Sequence, residues 1–279
     1  MDSTLVLSIV TFIYLFSTLL YFCYLASRNN VIGKVATGVT MVGLVGQIIS
    51  FFLRWKESYA LGYGHIPLSN QFESMVFFAM VIIIIYLIME WKYKIKTIGA
   101  FVTPFASIIL AMTTITKSFS NEIHPLIPAL QSNWLTYHVI TCFLGYAAFA
   151  VSCGVSIMFL IKLRGEKKKS GKFVRLLPDK DVLEDFNYKA IAVGFPMLTL
   201  GIITGAAWAN YAWGSYWSWD PKETWSLITW FIYAAYLHAR IIQGWRGKKA
   251  AILSIIGFCA VLFTYFGVNY ILVGLHSYA

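Results

Sequence analysis

Charge is what this 279-residue chain has least of: Asp, Glu, Lys and Arg make up 12% of it, against 59% for hydrophobic residues. A soluble domain carries roughly twice that charged fraction, so a water-soluble globular protein is excluded. Cysteine is scarce as well. Cys23, Cys142, Cys153 and Cys259 form no CxxC pair and no metal-ligand spacing, which excludes a thiol-redox motif or a thiolate zinc site. They read as small apolar packing residues. No repeat, low-complexity segment or linker interrupts the chain, so it reads as a single membrane-embedded domain over 1–279.

What it has instead is long apolar runs. A membrane span needs about 20 mostly apolar residues. Windows of that length recur at about 4–27, 34–53, 72–91, 97–114, 134–161, 187–208, 224–242 and 250–274. The expected fold is an all-α polytopic membrane protein of about eight transmembrane helices. The first run is too long for a signal-peptide core and lacks a basic leading region, so it reads as a retained span. The net charge of +10 raises the question of a nucleic-acid partner, and its distribution answers no. Numbered alternately, one set of loops holds eighteen of the 22 basic residues; the other has only Arg54, Lys56, Lys117 and Lys222. Cytoplasmic loops collect Lys and Arg, which puts both termini outside. The inside loop at 163–185 is basic, then acidic, and reads as a solvated connection.

Three loops on the expected outer side carry unusual content. "RWKESYALGYGHIPLSNQ" (54–71) is rich in glycine, serine and aromatics, and "ITKSFSNEIHPLIPALQSN" (115–133) contains two prolines. The third, 209–223, contains most of "WGSYWSWDPKETW" (213–225). Trp213, Trp217 and Trp219, with Tyr211 and Tyr216, gather five aromatics within nine residues. An interfacial aromatic belt spreads its rings over many span ends. This concentration, with pliable Gly214 and Ser215 among the rings, points to a flat hydrophobic ligand. Asp220, followed by Pro221 and Glu223, has the pattern of a helix N-cap with a capping box.

Histidine numbers five. His124 precedes a proline in a water-facing loop and reads as surface. His65 either organises its loop by hydrogen bonding or has a chemical role; the sequence leaves both open. His138, one turn into the fifth span, and His276, just past the last, share the expected depth of the tryptophan loop. A flat porphyrin held by two axial imidazoles needs that arrangement. His238 stands eighteen residues after Asp220, about 27 Å along a helix, and therefore belongs to a second, inner site. No other histidine lies at that depth, so its partner ligand must come from elsewhere.

"WGSYWSWDPKETW" resembles the tryptophan-rich WGxxWxWD signature of the haem-handling proteins of cytochrome c maturation. "GHIPLSNQFES", "WLTYH", "YLHAR" and "GLHSY" extend the likeness over nearly the whole chain, to the eight-span CcsA (ResC) family of the second maturation system. The resemblance implies a protein that, with a CcsB/ResB-type membrane partner, moves haem b outward for thioether attachment to the CxxCH segment of apocytochrome c, as a subunit of a holocytochrome c synthase (haem lyase). It implies an external haem ligated by His138 and His276, beside Trp213, Gly214, Trp217, Trp219 and Asp220. It implies an inner haem ligated by His238 and a partner histidine, with indirect dependence on thiol-reducing proteins. No residue reads as a catalytic nucleophile. The expected place is a bacterial plasma membrane, or a thylakoid membrane in a plastid, with the working face outward.

Three other readings fit less well. A b-type bis-histidine cytochrome of a quinol enzyme needs paired histidines for every haem, and His238 has none here. A secondary transporter shows internal repeats and broken helices, neither of which is visible. The six-span CcmC relatives lack the eight spans and the terminal "GLHSY". The topology is tested by labelling cysteines placed at Tyr216 and Ala279: both are expected to react from outside, and protection of both would reverse the orientation.

Overall fold

A computed structural model describes residues 2–116, 119–167 and 174–272; His276, and with it one of the two expected outer ligands, lies outside the described residues. All regular elements among the described residues are helical. The long ones are α1 (Ser3–Ser27), α2 (Asn30–Ala60), α3 (Gln71–Tyr93), α4 (Gly99–Ile115), α5 (Asn133–Lys167), α6 (Lys180–Trp213), α7 (Pro221–Ile241) and α8 (Lys248–Leu262), with 3-10 turns at Lys96–Ile98 and Pro128–Leu130. A π turn, Phe263–Gly267, carries α8 into a last short helix, α9 (Val268–Ile271). Side chains set the starts: Asp2, Asn29, Asn70 and Asp220 each accept a backbone N–H from the first turn of the helix that follows, satisfying donors with no intrahelical partner.

Seven of the described segments are long and apolar enough to cross a membrane. They match seven of the eight expected windows, and the chain is an all-α polytopic membrane protein. The remaining window, 224–242, forms α7, which is not among the seven. Lys222, Glu223, His238 and Arg240 lie toward its ends, and Thr229, Tyr233 and Tyr236 dilute its apolar content. At 21 residues it is nevertheless about 31 Å long.

Two helices run further than the hydropathy windows. α2 continues to Ala60, taking in Arg54 and Glu57, because both acquire partners: Glu57 accepts from the Ser3 hydroxyl at 2.5 Å and its backbone N–H at 2.8 Å. α6 continues to Trp213, where Gly214 at φ 76° ends it. The tryptophan loop expected over 209–223 therefore shrinks to 214–220, and Trp213 is helical.

The chain forms two compact units, Met1–Leu126 with Gly165–Pro178, and Ile127–Arg164 with Asp179–Ala279. In the first, α1 packs against α2 and α4, and α3 against α4. The buried face of α1 is polar at helical spacing. Tyr14 donates to Gln47 at 2.8 Å, Ser17 shares a hydrogen bond with Thr40, and Thr18 meets Thr103 at 3.0 Å and Ser107 at 2.9 Å. Near the C-terminal end of α3, Glu90 accepts from the hydroxyls of Tyr21, Thr37 and Tyr86 and from the Lys96 ammonium. In hydrocarbon, such groups associate helices by satisfying one another.

At the opposite end of α3, Arg54 donates to Glu73 at 2.8 Å and to the carbonyl of Asn121 at 2.9 Å. The two side chains are 7% and 1% exposed, so the pair is buried. His65 is buried too, with one ring nitrogen 3.2 Å from the Ile66 carbonyl oxygen and the other 3.0 Å from that of His124. Of the two roles left open for His65, the structure shows the loop organiser. His124 itself lies at the surface, 3.5 Å from Glu122.

In the second unit, glycine lets α5 and α6 touch. A Cβ on Gly145 would lie 3.0 Å from the Leu198 nitrogen and 3.1 Å from the Gly194 oxygen. Phe149 of α5 stacks on Tyr233 of α7 with centroids 3.5 Å apart. Ser152, Asn187 and Ser254 hydrogen-bond to one another across α5, α6 and α8.

Breaking a buried pair strands a charge, at a cost of about 3–5 kcal/mol. Arg54→Met is therefore expected to lower the thermal midpoint in detergent sharply, and Arg54→Met/Glu73→Leu to recover most of the loss. A single variant as stable as the parent would mean that the pair does not hold these loops.

Candidate functional site

The end of the second unit where α5 begins, α6 ends and α7 begins gathers the residues singled out in the sequence. His138, in the second turn of α5, directs Nδ1 at the carbonyl oxygen of Gly201 on α6, 2.7 Å away. A carbonyl only accepts, so Nδ1 carries the proton and Nε2 of the neutral ring keeps its lone pair. The ring has space because position 205 is glycine: a Cβ there would lie 2.6 Å from Nδ1. Trp208 stacks on the imidazole, with centroids 6.0 Å apart and planes 16° from parallel. Its own Nε1–H donates to the Ala129 carbonyl at 2.8 Å.

Trp208 was not among the residues the sequence marked. It is buried, at 2% exposure, and reads as an ordinary span residue. Its signal is one of spacing: it precedes Trp213 by five residues, and the two rings pack edge to face at 5.0 Å. A continuous contact thus runs from His138 through Trp208 to Trp213.

Beyond Gly214 the chain is held by the start of α7. Asp220 accepts the Lys222 N–H at 2.9 Å, and Glu223 accepts the N–H of Asp220 at 3.2 Å, closing the expected capping box. Glu223 also takes the Ser218 N–H at 2.7 Å. Two backbone N–H groups thus converge on one carboxylate, and both acids are buried. This clamp presents the rings between. Trp217 and Trp219 meet edge to face at 5.7 Å, and Trp219 is 68% exposed. Trp219 also adopts φ 59°, the left-handed region that a bulky residue enters only under constraint. Lys222 lies in the first turn of α7, ahead of the expected span 224–242, where partial burial pushes its ammonium down to about 8 against the pull of the Asp220 carboxylate.

α8 ends beside this region. The Thr264 hydroxyl, in the π turn, donates to the Trp225 carbonyl at 3.3 Å, and Trp225 packs on Phe263 with centroids 4.2 Å apart. His238 is elsewhere: exposed, near the far end of α7, and about 27 Å along the helix from Asp220. The structure thus brings together His138, Trp213 and the loop Gly214–Asp220, and sets His238 apart from them.

A sequence profile described as "Cytochrome C assembly protein" matches residues 68–276. The chain belongs to the cytochrome C assembly protein family. Its relatives include the cytochrome c biogenesis protein CcsA of Chlamydomonas reinhardtii, 41% identical over 90% of this chain and 69% of that one. CcsA of Synechococcus elongatus is 38% identical over 96% of this chain and 95% of its own length. Among solved structures, one titled "Cytochrome c Heme Lyase CcmF" shares the fold with a TM-score of 0.72 at 15% identity. It covers 95% of this chain, which spans only 47% of that structure. The assembly family's matched region contains the whole constellation described above, from His138 to Glu223, and begins after α2.

The clamp is open to a direct test. Losing a helix cap costs about 0.5–2 kcal/mol. Glu223→Ala is expected to accelerate hydrogen exchange in peptides covering 214–222 while leaving α5 and α6 protected. Unchanged exchange would show that Glu223 does not hold the loop.

Proposed function

We propose that this cytochrome c biogenesis protein takes haem b as its cargo, bound at the end of the second unit and presented to apocytochrome c. The observation that carries the reading is the seat of His138. Nδ1–H is committed to Gly201 and the ring is pressed against Trp208, so Nε2 is an oriented donor suited to porphyrin iron. Trp217 and Trp219 supply aromatic faces of the kind a porphyrin plate packs against. His276 is proposed as the second axial ligand. Trp213, Gly214 and Asp220 shape the surroundings as helix end, turn and cap.

The chemistry at the outer site is thioether formation. Each cysteine S–H of the CxxCH segment adds across one vinyl C=C of the haem: sulfur bonds to one carbon, hydrogen to the other, and the addition is redox-neutral. This chain contributes position and exclusion of water rather than acid or base groups. His238 is proposed to receive haem at an inner site with a second ligand from a CcsB/ResB-type partner. The working face is then outward, in a bacterial plasma membrane or a thylakoid membrane.

His138→Ala is expected to convert a low-spin six-coordinate haem spectrum into a five-coordinate one, with the low-spin bands returning on addition of imidazole. His238→Ala should instead lower total haem content. A stacked aromatic contributes about 0.5–1.5 kcal/mol beyond burial, so Trp217→Ala or Trp219→Ala should each weaken binding about two- to twelvefold. An unchanged low-spin spectrum in His138→Ala would remove the ligand assignment. Haem content untouched by the double tryptophan change would return those rings to an interfacial role.

A further inference from the structure

At the far end of α7, three polar side chains of the second unit stop short of the direct contacts made elsewhere. Arg240 of α7 and Glu184 of α6 approach only to 3.5 Å, with side chains 13% and 15% exposed. A charge-assisted hydrogen bond closes to about 2.7–2.9 Å, and the buried Arg54–Glu73 pair reaches 2.8 Å. Arg240 donates instead to the Trp245 carbonyl at 3.2 Å. The third group is the hydroxyl of Ser156 on α5, fully buried and without a hydrogen-bond partner among the described residues. Hydroxyls inside helices can fall back on the carbonyl four residues before, as those of Thr199, Thr229 and Thr264 do. That of Ser156 does not.

All three side chains line one cavity, together with Asn187, Tyr236 and Gly247. Its free space is on the scale of a single water molecule. Gly247 sits at φ 70° and ψ −139°, a conformation that glycine adopts at little cost. It leaves the carboxylate uncovered, since a Cβ there would lie 3.7 Å from Glu184 Oε1. Tyr236 and Arg240, one turn apart on α7, both line the cavity, whereas His238 between them is exposed. The cavity is therefore separate from the inner haem site proposed above. An ion pair so far removed from bulk water is costly unless its protons and lone pairs are satisfied. A contact stretched past hydrogen-bond length, beside an orphan hydroxyl and a space of this size, is the geometry that a bridging water produces.

We propose that one ordered water occupies this cavity, accepting an N–H from Arg240 and the O–H of Ser156 and donating to the Glu184 carboxylate. Three partners are what a buried water typically has. The water joins α5, α6 and α7 at one point, and α7 is then held by two different means. At its Asp220 end, carboxylates take backbone N–H groups directly; at its far end, the hold on α6 runs through solvent. A hold of the second kind can be remade after a small displacement, because a water reorients where two fixed side chains cannot. An anion suits the space less well, since the Glu184 carboxylate borders it.

The probe is water itself, read by X-ray radiolysis of the full chain in nanodiscs, where hydroxyl radicals formed from a bound water oxidise the side chains beside it. Tyr236 is the reporter. Tyr14, also buried and with its hydroxyl on Gln47 in the other unit, is the control. In the parent, Tyr236 should be labelled several-fold faster than Tyr14. After mixing into heavy-oxygen water, its label should take up the isotope later than that of exposed Tyr216. Ser156→Val, which fills the space, should bring Tyr236 down to the level of Tyr14, with circular dichroism unchanged. Ser156→Ala keeps the space and removes one partner, so Tyr236 should stay labelled and exchange the isotope sooner; this variant and the parent decide the matter if the valine variant misfolds. Labelling of Tyr236 no faster than Tyr14 in the parent would mean a dry cavity and overturn the assignment. Isotope uptake as fast as at Tyr216 would mean an open inlet, and overturn it too. Parent-like labelling in folded Ser156→Val, or isotope exchange unchanged by Ser156→Ala, would do the same. A fall in Tyr236 labelling on raising chloride would put an anion beside Arg240 in place of the water.

Discussion

A hydrocarbon core supplies no partner for a polar group, so whatever is placed there must be satisfied by the protein itself. Much of this structure is arranged around that constraint. The Gln47 amide takes its donor from Tyr14 and gives its own N–H to the Val76 carbonyl at 2.8 Å. Glu90 is surrounded by three hydroxyls and an ammonium. Ser152, Asn187 and Ser254 close on one another. Each group fixes the rotation of the helix that bears it, because a turn of one residue would carry it away from its partner. Apolar packing alone cannot do this when lipid is as apolar as leucine.

The same constraint explains what was legible in the sequence. Long apolar windows announce spans, and seven became helices of sufficient length and apolarity. Their ends were misjudged where polar residues stay helical because they find tertiary partners, as Arg54 does with Glu73 and Glu57 with Ser3. Hydropathy counts a charge as a reason to stop; the fold counts it as a reason only when it is unpaired. α7 is the converse case. Its polar content keeps it out of the most apolar group, yet Asp220, Pro221 and Glu223 marked its start correctly.

At the site, the sequence marked the residues with unusual chemistry and missed those that hold them. Asp220 and the clustered tryptophans stand out by type and spacing. Gly201, Gly205 and Trp208 do not, because glycine and tryptophan inside an apolar span look like packing. Their roles exist only when α5 and α6 are side by side: a carbonyl, a gap and a flat wall that together orient one imidazole. Two histidines, His65 and His138, both hydrogen-bond carbonyl oxygens, and the structure separates them. His65 has such an oxygen at each ring nitrogen, while His138 turns Nδ1 toward one.

The gap at Gly205 carries a consequence for how such a protein can change over time. Any larger side chain there would occupy the space of the His138 ring, and a smaller residue at 138 would leave Trp208 facing a void. Neither position can drift while the other stays fixed. Residues 138, 205 and 208 are therefore expected to change together, although they lie on two helices. A lineage that abandoned the imidazole would be expected to release Gly205 from its small size and Trp208 from its flatness at the same time.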